Sequence, residues 1–240
     1  MTNPKDKLIV ALDVDTAQQA RELVNSLRDL AGMFKIGSQL FTAVGPDIVR
    51  EIVKSGCKVF LDLKFHDIPN TVRSAGIEAT RLGVSIFNVH ALGGKEMMQR
   101  TVEAVCEVAA KEGIERPQVI AVTILTSTGA KDLGEIGIDS DPASNVVRLS
   151  LLAESSGMDG VVASPHEIKP VRAAITRSGF KIITPGVRPA QADLDDQKRV
   201  MTPAQAISAG ADYIVVGRSI TQADDPVEAT TQILDEMGHN

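Results

Sequence analysis

The sequence of 240 residues lacks the features that would mark a nucleic-acid-binding protein. It has no Trp, and only 3% of its residues are aromatic, which argues against a surface on which bases stack. Its formal net charge is -6, whereas binding to a phosphate backbone requires a basic stripe. An anionic ligand would therefore have to be held by a local cluster of Lys and Arg.

Cysteines and long apolar runs are also scarce. The two cysteines, Cys57 and Cys106, lie outside any CxxC or Cys/His spacing, so the sequence indicates neither a disulfide framework nor a zinc site. The longest apolar runs, such as VIAVTIL at 119–125, are too short to cross a bilayer. The first residues, MTNPKDKLIVALD, lack the apolar core of a signal peptide. We expect reduced cysteines and a cytoplasmic protein.

What the sequence does contain is a regular alternation of short β-branched runs with segments at helical spacing. The runs predicted as strands are 8–14, 33–37, 58–64, 86–91, 119–125, 160–164, 181–187 and 213–217. The helical candidates between them include 16–30, 45–56, 71–83, 94–113 and 144–157. Continuous apolar strands joined by helices indicate a parallel sheet covered by helices, and eight such units predict a (β/α)8 TIM barrel. No linker or shift in composition appears, so we expect one catalytic domain over residues 1–240.

An open, doubly wound sheet is the alternative fold. It would normally carry a Gly-rich turn after the first strand, and ALDVDTAQQA at 11–20 contains no glycine. Two segments, 126–144 and 186–205, are longer than ordinary loops. Such segments in compact domains are often lids.

Polar residues recur where the predicted strands end. In a barrel of this type the carboxyl ends of the strands carry the chemistry, so we expect these side chains to converge on one pocket. The candidates are Asp13, Lys35, Asp62, Lys64, His90, Thr123, Thr126, Ser127, Ser164, Gly217 and Arg218.

The sharpest motif is DxKxxD, formed by Asp62, Lys64 and Asp67. Residues two apart on a strand face the same way, so Asp62 and Lys64 should meet. One interpretation is an ion pair that closes the top of the barrel. The other adds Lys35 from the neighbouring strand and makes a charge network. Its carboxylates would repel an added carboxylate, and a lysine ammonium would stabilise and protonate a carbanion.

A second motif, VVGRSIT, indicates an anion site. Gly217 and Arg218 end the last strand and precede a helix, where backbone amides and a guanidinium hold phosphates in many barrels. Arg188 in TPGVRP lies at the base of the second long segment. A salt bridge from Arg218 to a surface carboxylate is the alternative. His66 and His90 are candidates for supporting hydrogen bonds, and no metal-ligand spacing is present.

The chain resembles the bacterial type of the orotidine 5'-phosphate decarboxylase family over its whole length. The motifs that carry the resemblance are, in order, ALDVD, FKIG, DLKFHDIPNTV, NVHA, LTS, TPGVRP and VVGRSIT. The resemblance implies cofactor-free decarboxylation of orotidine 5'-monophosphate to UMP, the last step of de novo UMP synthesis. It implies that Lys64 donates the proton within a network of Lys35, Asp62, Lys64 and Asp67. It also implies a homodimer in which Asp67, Ile68 and Thr71 reach the partner's site.

The resemblance further implies the substrate contacts. Asp13 and Lys35 would hold the ribose, Thr126 and Ser127 the nucleotide, and Arg188, Gln197, Gly217 and Arg218 the phosphate. The full set of expected substrate-binding residues is Asp13, Lys35, Asp62, Leu63, Lys64, Phe65, His66, Asp67, Ile68, Pro69, Asn70, Thr71, Thr126, Ser127, Pro185, Arg188, Gln197, Gly217 and Arg218.

Two other functions stay open at this point. Sister enzymes such as 3-keto-L-gulonate 6-phosphate decarboxylase and hexulose phosphate synthase share DxKxxD but use Mg²⁺. The HDIPNTV continuation and the long segment after Arg188 favour the pyrimidine nucleotide. A non-catalytic sensor of phosphorylated ligands is the third possibility, and the intact charged motif argues against it.

Overall fold

The computed structural model describes residues 3–138, 141–188 and 201–238. Its parallel strands close into a barrel in sequence order, with β1 hydrogen-bonded to β8. The strands are β1 Leu8–Ala11, β2 Met33–Gly37, β3 Val59–Phe65, β4 Ile86–His90, β5 Gln118–Val122, β6 Gly160–Val162, β7 Lys181–Pro185 and β8 Tyr213–Val216. The predicted TIM barrel is confirmed. Several strands end earlier than predicted, so Asp13 and Thr123 follow strands rather than lie within them.

Helices cover the outside of the barrel. Those in the described part of the chain are α1 Ala17–Leu27, α2 Ser38–Val44, α3 Asp47–Lys54, α4 Pro69–Arg81, α5 Gly94–Glu112, α6 Ala130–Glu135, α7 Pro142–Ser155, α8 Ile168–Ala174, α9 Pro203–Ala209, α10 Arg218–Thr221 and α11 Pro226–Gly238. The segment 126–144 is thus not one long loop, because α6 and the start of α7 lie in it. No helix among the described residues is both long and apolar enough to span a membrane.

Local sequence fixes where the helices begin and end. Thr16 caps α1 by accepting a hydrogen bond from the Gln19 amide at 3.2 Å, and the Gln19 side chain accepts from the Thr16 amide in return. Pro69 occupies the first position of α4, where a missing N–H does no harm. Gly113 ends α5 in the left-handed region at φ 66°. These signals place α4 directly after the charged motif of β3.

Side chains alternate between the two faces of the barrel wall and build two cores. The outer core lies between strands and helices. The inner core fills the barrel and consists of Ile9, Ala11, Met33, Phe60, Ile86, Ile120, Ile183 and Val215. Above it, at the carboxyl ends of β2, β3 and β4, the inward side chains become polar and buried at Lys35, Asp62 and Asn88. The apolar filling therefore separates these polar side chains from the amino end of the barrel.

The amino end of the barrel has charged clusters of its own. Asp212, just before β8, accepts hydrogen bonds from the Ile182 amide at 2.9 Å and from Arg172. Asp159, just before β6, accepts from the Val119 amide at 2.7 Å. Each of these carboxylates thus ties the start of one strand to its neighbour.

Candidate active site

Four charged residues form a chain at the carboxyl ends of β1, β2 and β3. Lys35 Nζ lies 3.1 Å from Asp13 Oδ1 and 3.3 Å from Asp62 Oδ2. The other oxygen of Asp62, Oδ1, lies 2.7 Å from Lys64 Nζ. Positive and negative groups alternate, so the chain as a whole is neutral. Lys35 and Asp62 are nearly buried, whereas the Lys64 side chain is 36% exposed. The ammonium of Lys64 is therefore open to a ligand.

Asp62 and Lys64 both point into the first cavity, as strand alternation predicts, but β3 is irregular at this point. The pairing of β3 with β4 shifts register between Leu61 and Phe65, which marks a β-bulge. Lys64 lies in the left-handed region at φ 52° and is the sole non-glycine residue with positive φ among those described. Backbone strain of this kind clusters at functional sites.

Asn88 holds this bulge, and the sequence analysis missed it. Its Oδ1 accepts a hydrogen bond from the Lys64 amide at 2.8 Å, and its Nδ2 donates to Asp62 Oδ1 at 2.6 Å. The signal was available: Asn88 is a polar residue inside the predicted strand 86–91, at an inward position between Ile86 and His90. Because Asn88 lies inside the predicted strand, it was not among the polar residues at strand ends.

Gly37 leaves the room that the Lys35 ammonium occupies. A Cβ at this position would lie 3.1 Å from Lys35 Nζ and 3.5 Å from Asp13 Oδ1. Any side chain would therefore press on the first ion pair of the chain. The FKIG motif thus supplies both the cation and the space for it.

Two adjoining cavities open beside the charged chain. The first, of about 190 Å³, is lined mainly by apolar side chains together with Lys35, Asp62, Lys64 and Thr126. The second, of about 230 Å³, is lined by polar groups that include Asp13 and Arg188. Lys35, Pro185 and Val215 line both cavities. A ligand with an apolar ring at one end and polar groups at the other would fit across them.

The residues of the predicted anion site line the second cavity. Arg188, Gly217 and Arg218 all line it, together with Ser219. The backbone amide of Arg188 donates a hydrogen bond to the Met201 carbonyl at 3.2 Å, which joins two points within the 186–205 segment. Gln197, the other predicted phosphate contact, lies outside the described residues, as does most of the proposed lid. The two arginines give this cavity an excess of positive charge.

The loop after β3 points outward. Asp67 is exposed, and its Oδ1 accepts a hydrogen bond from the Ile68 amide at 2.6 Å. Ile68 is 66% exposed, and Asn70 and Thr71 are exposed at the start of α4. Within one chain the network therefore has four members, and the place of Asp67 in it stays a prediction that requires a second subunit.

Of the other predicted substrate-binding residues, some line the cavities and some do not. Thr126 lines the first cavity and Pro185 both cavities, whereas Ser127 is exposed beside them. Leu63 and Phe65 pack against the outer core, so their side chains do not point into the cavities.

Two predicted strand-end hydroxyl residues are structural. Thr123 donates a hydrogen bond to the Val162 carbonyl at 2.8 Å, and Ser164 caps a short 3-10 turn, where its amide donates to Glu167.

The rings of the two histidines near the site lie close together and are tilted by 36° to each other. The rings of His66 and His90 have centroids 5.4 Å apart. His90 Nδ1 is buried without a hydrogen-bond partner among the described residues. Burial lowers the pKa of His90, and the nearby His66 and Lys64 lower it further. A neutral imidazole therefore lies beside the charged chain.

No group of three or more His, Cys, Asp or Glu residues in the described part of the chain could hold a metal ion. The charged chain alternates amines with carboxylates, so each carboxylate is already neutralised by a lysine.

The chain is similar in sequence and in shape to known proteins. Residues 6–233 match the family described as "Orotidine 5'-phosphate decarboxylase / HUMPS family". The orotidine 5'-phosphate decarboxylase of Geobacter sulfurreducens is 56% identical over 97% of this chain and 96% of its own length. That of Syntrophotalea carbinolica is 52% identical over 99% and 97%. The crystal structure of the enzyme from Lactobacillus acidophilus superposes with a TM-score of 0.84 at 37% identity, covering 96% of this chain and 98% of that one.

Proposed function

The chain belongs to the orotidine 5'-phosphate decarboxylase / HUMPS family, and from this premise we propose that it converts orotidine 5'-monophosphate to UMP and CO₂. The observation that supports the proposal most directly is the chain of Asp13, Lys35, Asp62 and Lys64 beside an apolar cavity that continues into a cationic one. The pyrimidine ring suits the first cavity. The ribose and phosphate suit the second.

Asp62 would act on the substrate carboxylate. Its oxygens accept hydrogen bonds from Lys64 and Asn88 and pair with Lys35, so its position is fixed before the substrate arrives. A second carboxylate placed in the first cavity meets this negative charge at close range. The repulsion disappears when the substrate loses CO₂, so it raises the energy of the bound substrate relative to the transition state.

Lys64 would stabilise and protonate the intermediate. Cleavage of the bond between C6 and the carboxylate leaves an electron pair in the plane of the pyrimidine ring, where the ring cannot delocalise it. The Lys64 ammonium stabilises this charge electrostatically and then donates a proton to C6. The resulting amine regains a proton from solvent. This sequence requires no cofactor.

Arg188, Gly217 and Arg218 would bind the phosphate, together with Gln197. Guanidinium groups match phosphate oxygens through paired hydrogen bonds, and both arginines line the second cavity. Lys35 lines both cavities and Asp13 the second, so this pair would hold the ribose. Binding of a phosphate remote from C6 can contribute to the chemical step, because its energy holds the reacting ring against Asp62.

We also propose that the functional unit is a homodimer. Ile68 is an exposed large apolar residue, and Asp67 and Thr71 are exposed beside it. A partner subunit covering this loop would bury Ile68 and bring Asp67 to the edge of the other site. The fifth charge of the predicted network would then come from the partner.

The nearest alternative is a Mg²⁺-dependent reaction of a sugar phosphate, because the family description includes HUMPS enzymes. The relatives that share more than half of this sequence are named orotidine 5'-phosphate decarboxylase, which favours the nucleotide. We propose a cytoplasmic enzyme of pyrimidine biosynthesis.

The test is the ultraviolet absorbance change on mixing the purified protein with orotidine 5'-monophosphate in EDTA. Orotidine, which lacks the phosphate, serves as the matched substrate, and the Lys64→Ala variant serves as the matched protein. We expect rapid conversion of the nucleotide by wild type, much slower conversion of the nucleoside, and none by Lys64→Ala.

The outcomes separate the hypotheses. No conversion of the nucleotide, with Mg²⁺-dependent activity on a sugar phosphate, would assign the chain to the sister reaction. Equal rates on nucleotide and nucleoside would refute the phosphate site at Arg188 and Arg218.

A further inference from the structure

Asn88 is buried inside the barrel, and both ends of its amide bind the catalytic strand. It lies on β4 with 0% exposure. Its Oδ1 accepts a hydrogen bond from the Lys64 backbone amide at 2.8 Å. Its Nδ2 donates to Asp62 Oδ1 at 2.6 Å. One side chain therefore contacts the two residues of the DxK motif that the proposed reaction uses.

The strand pairing places Asn88 opposite the bulge. Leu61 pairs with Phe87, and the next pair is Phe65 with Val89. Between these pairs β3 has residues 62–64 while β4 has only Asn88. The extra residues of a bulge lose their ladder partners. Asn88 supplies the acceptor that the Lys64 amide would otherwise lack.

The backbone at Lys64 needs such support. Its φ of 52° lies in the left-handed region, which residues with a Cβ avoid. Strained conformations persist only where the surrounding structure determines them. The hydrogen bond from the Lys64 amide to Asn88 is one such determinant, and the ion pair of Lys64 Nζ with Asp62 is another.

The orientation of the Asn88 amide is fixed by its partners. A backbone N–H can only donate, and an ionised carboxylate can only accept. A flipped amide would place its NH₂ against the Lys64 N–H and its oxygen against Asp62. Both contacts would be lost together, so the amide has a single good orientation in this site.

We propose that Asn88 is a positioning residue that holds the Lys64 backbone in its left-handed conformation and fixes Asp62 Oδ1 beside the Lys64 ammonium. The inference rests on the proposed function for its effect on rate, and on the geometry alone for its effect on the backbone. Asn88 lines neither cavity, so it acts through Asp62 and Lys64 rather than on the substrate.

A purely structural role predicts a different result. If Asn88 only filled the barrel, its replacement would lower stability and leave the turnover of folded enzyme unchanged. Misplacement of a reacting group by about 1 Å costs roughly 100-fold in rate. We therefore expect Asn88→Ala to lower kcat about 100-fold while KM stays close to that of wild type, since the cavity walls are intact.

Two further variants sharpen the experiment. Asn88→Asp keeps an acceptor for the Lys64 amide but replaces the donor to Asp62 with a second carboxylate. We expect low activity at neutral pH and partial rescue at acid pH, where a protonated carboxyl donates to Asp62 again. Thr184→Val is the control, because Thr184 is fully buried on β7 and its hydroxyl has no partner among the described residues. Its kcat should match wild type.

The second readout needs no substrate. Hydrogen exchange of the Lys64 amide and the backbone chemical shifts of Lys64 report its hydrogen bond and its conformation. We expect faster exchange in Asn88→Ala and shifts that move away from left-handed values, with no change at Lys64 in Thr184→Val. If wild type fails to decarboxylate the nucleotide, the proposed function fails while these measurements still test Asn88.

The proposal is overturned if folded Asn88→Ala has a kcat within about twofold of wild type, or if its Lys64 amide is as protected as before. Should Asn88→Ala not fold, Asn88→Asp decides the question. An acid shift of its pH profile supports positioning, and an unchanged profile refutes it.

Discussion

The two ends of the barrel use similar charged residues in opposite ways. At the amino end, Asp159 and Asp212 accept hydrogen bonds from backbone amides of the adjoining strands, at 2.7 and 2.9 Å. At the carboxyl end, the partners of Asp62 among the described residues are all side chains: Lys35, Lys64 and Asn88. Carboxylates bound to the backbone join strands together. A carboxylate bound only by side chains does not join strands, and its charge faces the cavities.

The cations differ in the same way. Arg172 donates to Asp212 and to the carbonyls of Phe180 and Gly210, at 2.6 and 2.9 Å for the carbonyls. Lys64 Nζ contacts Asp62 alone among the described residues. A cation with three partners stabilises the fold, whereas a cation with a single partner and an exposed side chain is available to a ligand. Replacement of Arg172 should therefore lower stability, and replacement of Lys64 should lower activity.

The largest effect is expected at the carboxyl end. Lys64→Ala removes the proposed proton donor and the cation facing the carbanion, so kcat should fall by at least about 10⁴-fold. The Lys64 side chain is 36% exposed, and Asp62 keeps Lys35 and Asn88 as partners, so the free energy of unfolding should fall by no more than about 1 kcal/mol. Steady-state kinetics and urea unfolding measure the two quantities. Substantial residual turnover would remove Lys64 from its assigned role.

At the amino end we expect the reverse. Arg172→Ala leaves Asp212 and two carbonyl groups short of a donor, and should lower the free energy of unfolding by about 2–3 kcal/mol. The kcat of the folded fraction should stay within about twofold of wild type, because Arg172 lies at the opposite end of the barrel. Unfolding in urea, followed by kinetics at a temperature where the variant is folded, tests both. A stable variant with a large loss of kcat would contradict the separation between the two ends.

A smaller effect distinguishes the backbone at Lys64 from that of an ordinary strand residue. Glycine normally destabilises a strand relative to alanine. At φ 52° a Cβ costs roughly 1–2 kcal/mol, so Lys64→Gly should be more stable than Lys64→Ala by up to about 1 kcal/mol. The same pair at Leu63, the control, should show the usual order. Thermal unfolding of the four variants measures this, and a less stable Lys64→Gly would show that the bulge is not strained.

The smallest effect concerns pH. The pKa of His90 is lowered from its usual value near 6.5, first by burial and then by His66 and Lys64. The unfolded chain therefore binds a proton at this residue more readily than the folded one, so stability falls as pH drops below about 6.5. In His90→Gln the unfolding free energy should depend less steeply on pH between about 5 and 7. An identical slope in variant and wild type would mean that His90 does not contribute.

The sequence predicted the barrel because periodicity is repeated eight times and errors at single strand ends do not change the topology. It also brought Asp13, Lys35, Asp62 and Lys64 to one place, since strand ends of a parallel barrel share one rim. It predicted contact between Asp62 and Lys64 from simple alternation, and both side chains do point into the first cavity. It did not predict the register shift of β3 or the left-handed backbone at Lys64.

Other features were beyond sequence reasoning for physical reasons. A bulge depends on the pairing of two strands, so β3 alone did not reveal it, and the role of Asn88 follows from the bulge. By contrast, the outward direction of Leu63 and Phe65 follows from simple alternation with the inward Asp62 and Lys64. Hydroxyl groups at strand ends also give no sign of whether they bind a ligand or a carbonyl. Thr123 bonds to the Val162 carbonyl, whereas Thr126 lines the first cavity.

The closure of β1 against β8 has a consequence for the order in which the site is assembled during translation. Residues 13–88 supply the charged chain and Asn88, and they leave the ribosome well before residue 218 is made. The second cavity requires Gly217 and Arg218 opposite Asp13, so it forms only when the last strand docks on the first. The first cavity also requires Val215 of β8, so a nascent chain carries the four charged residues long before either cavity beside them is complete.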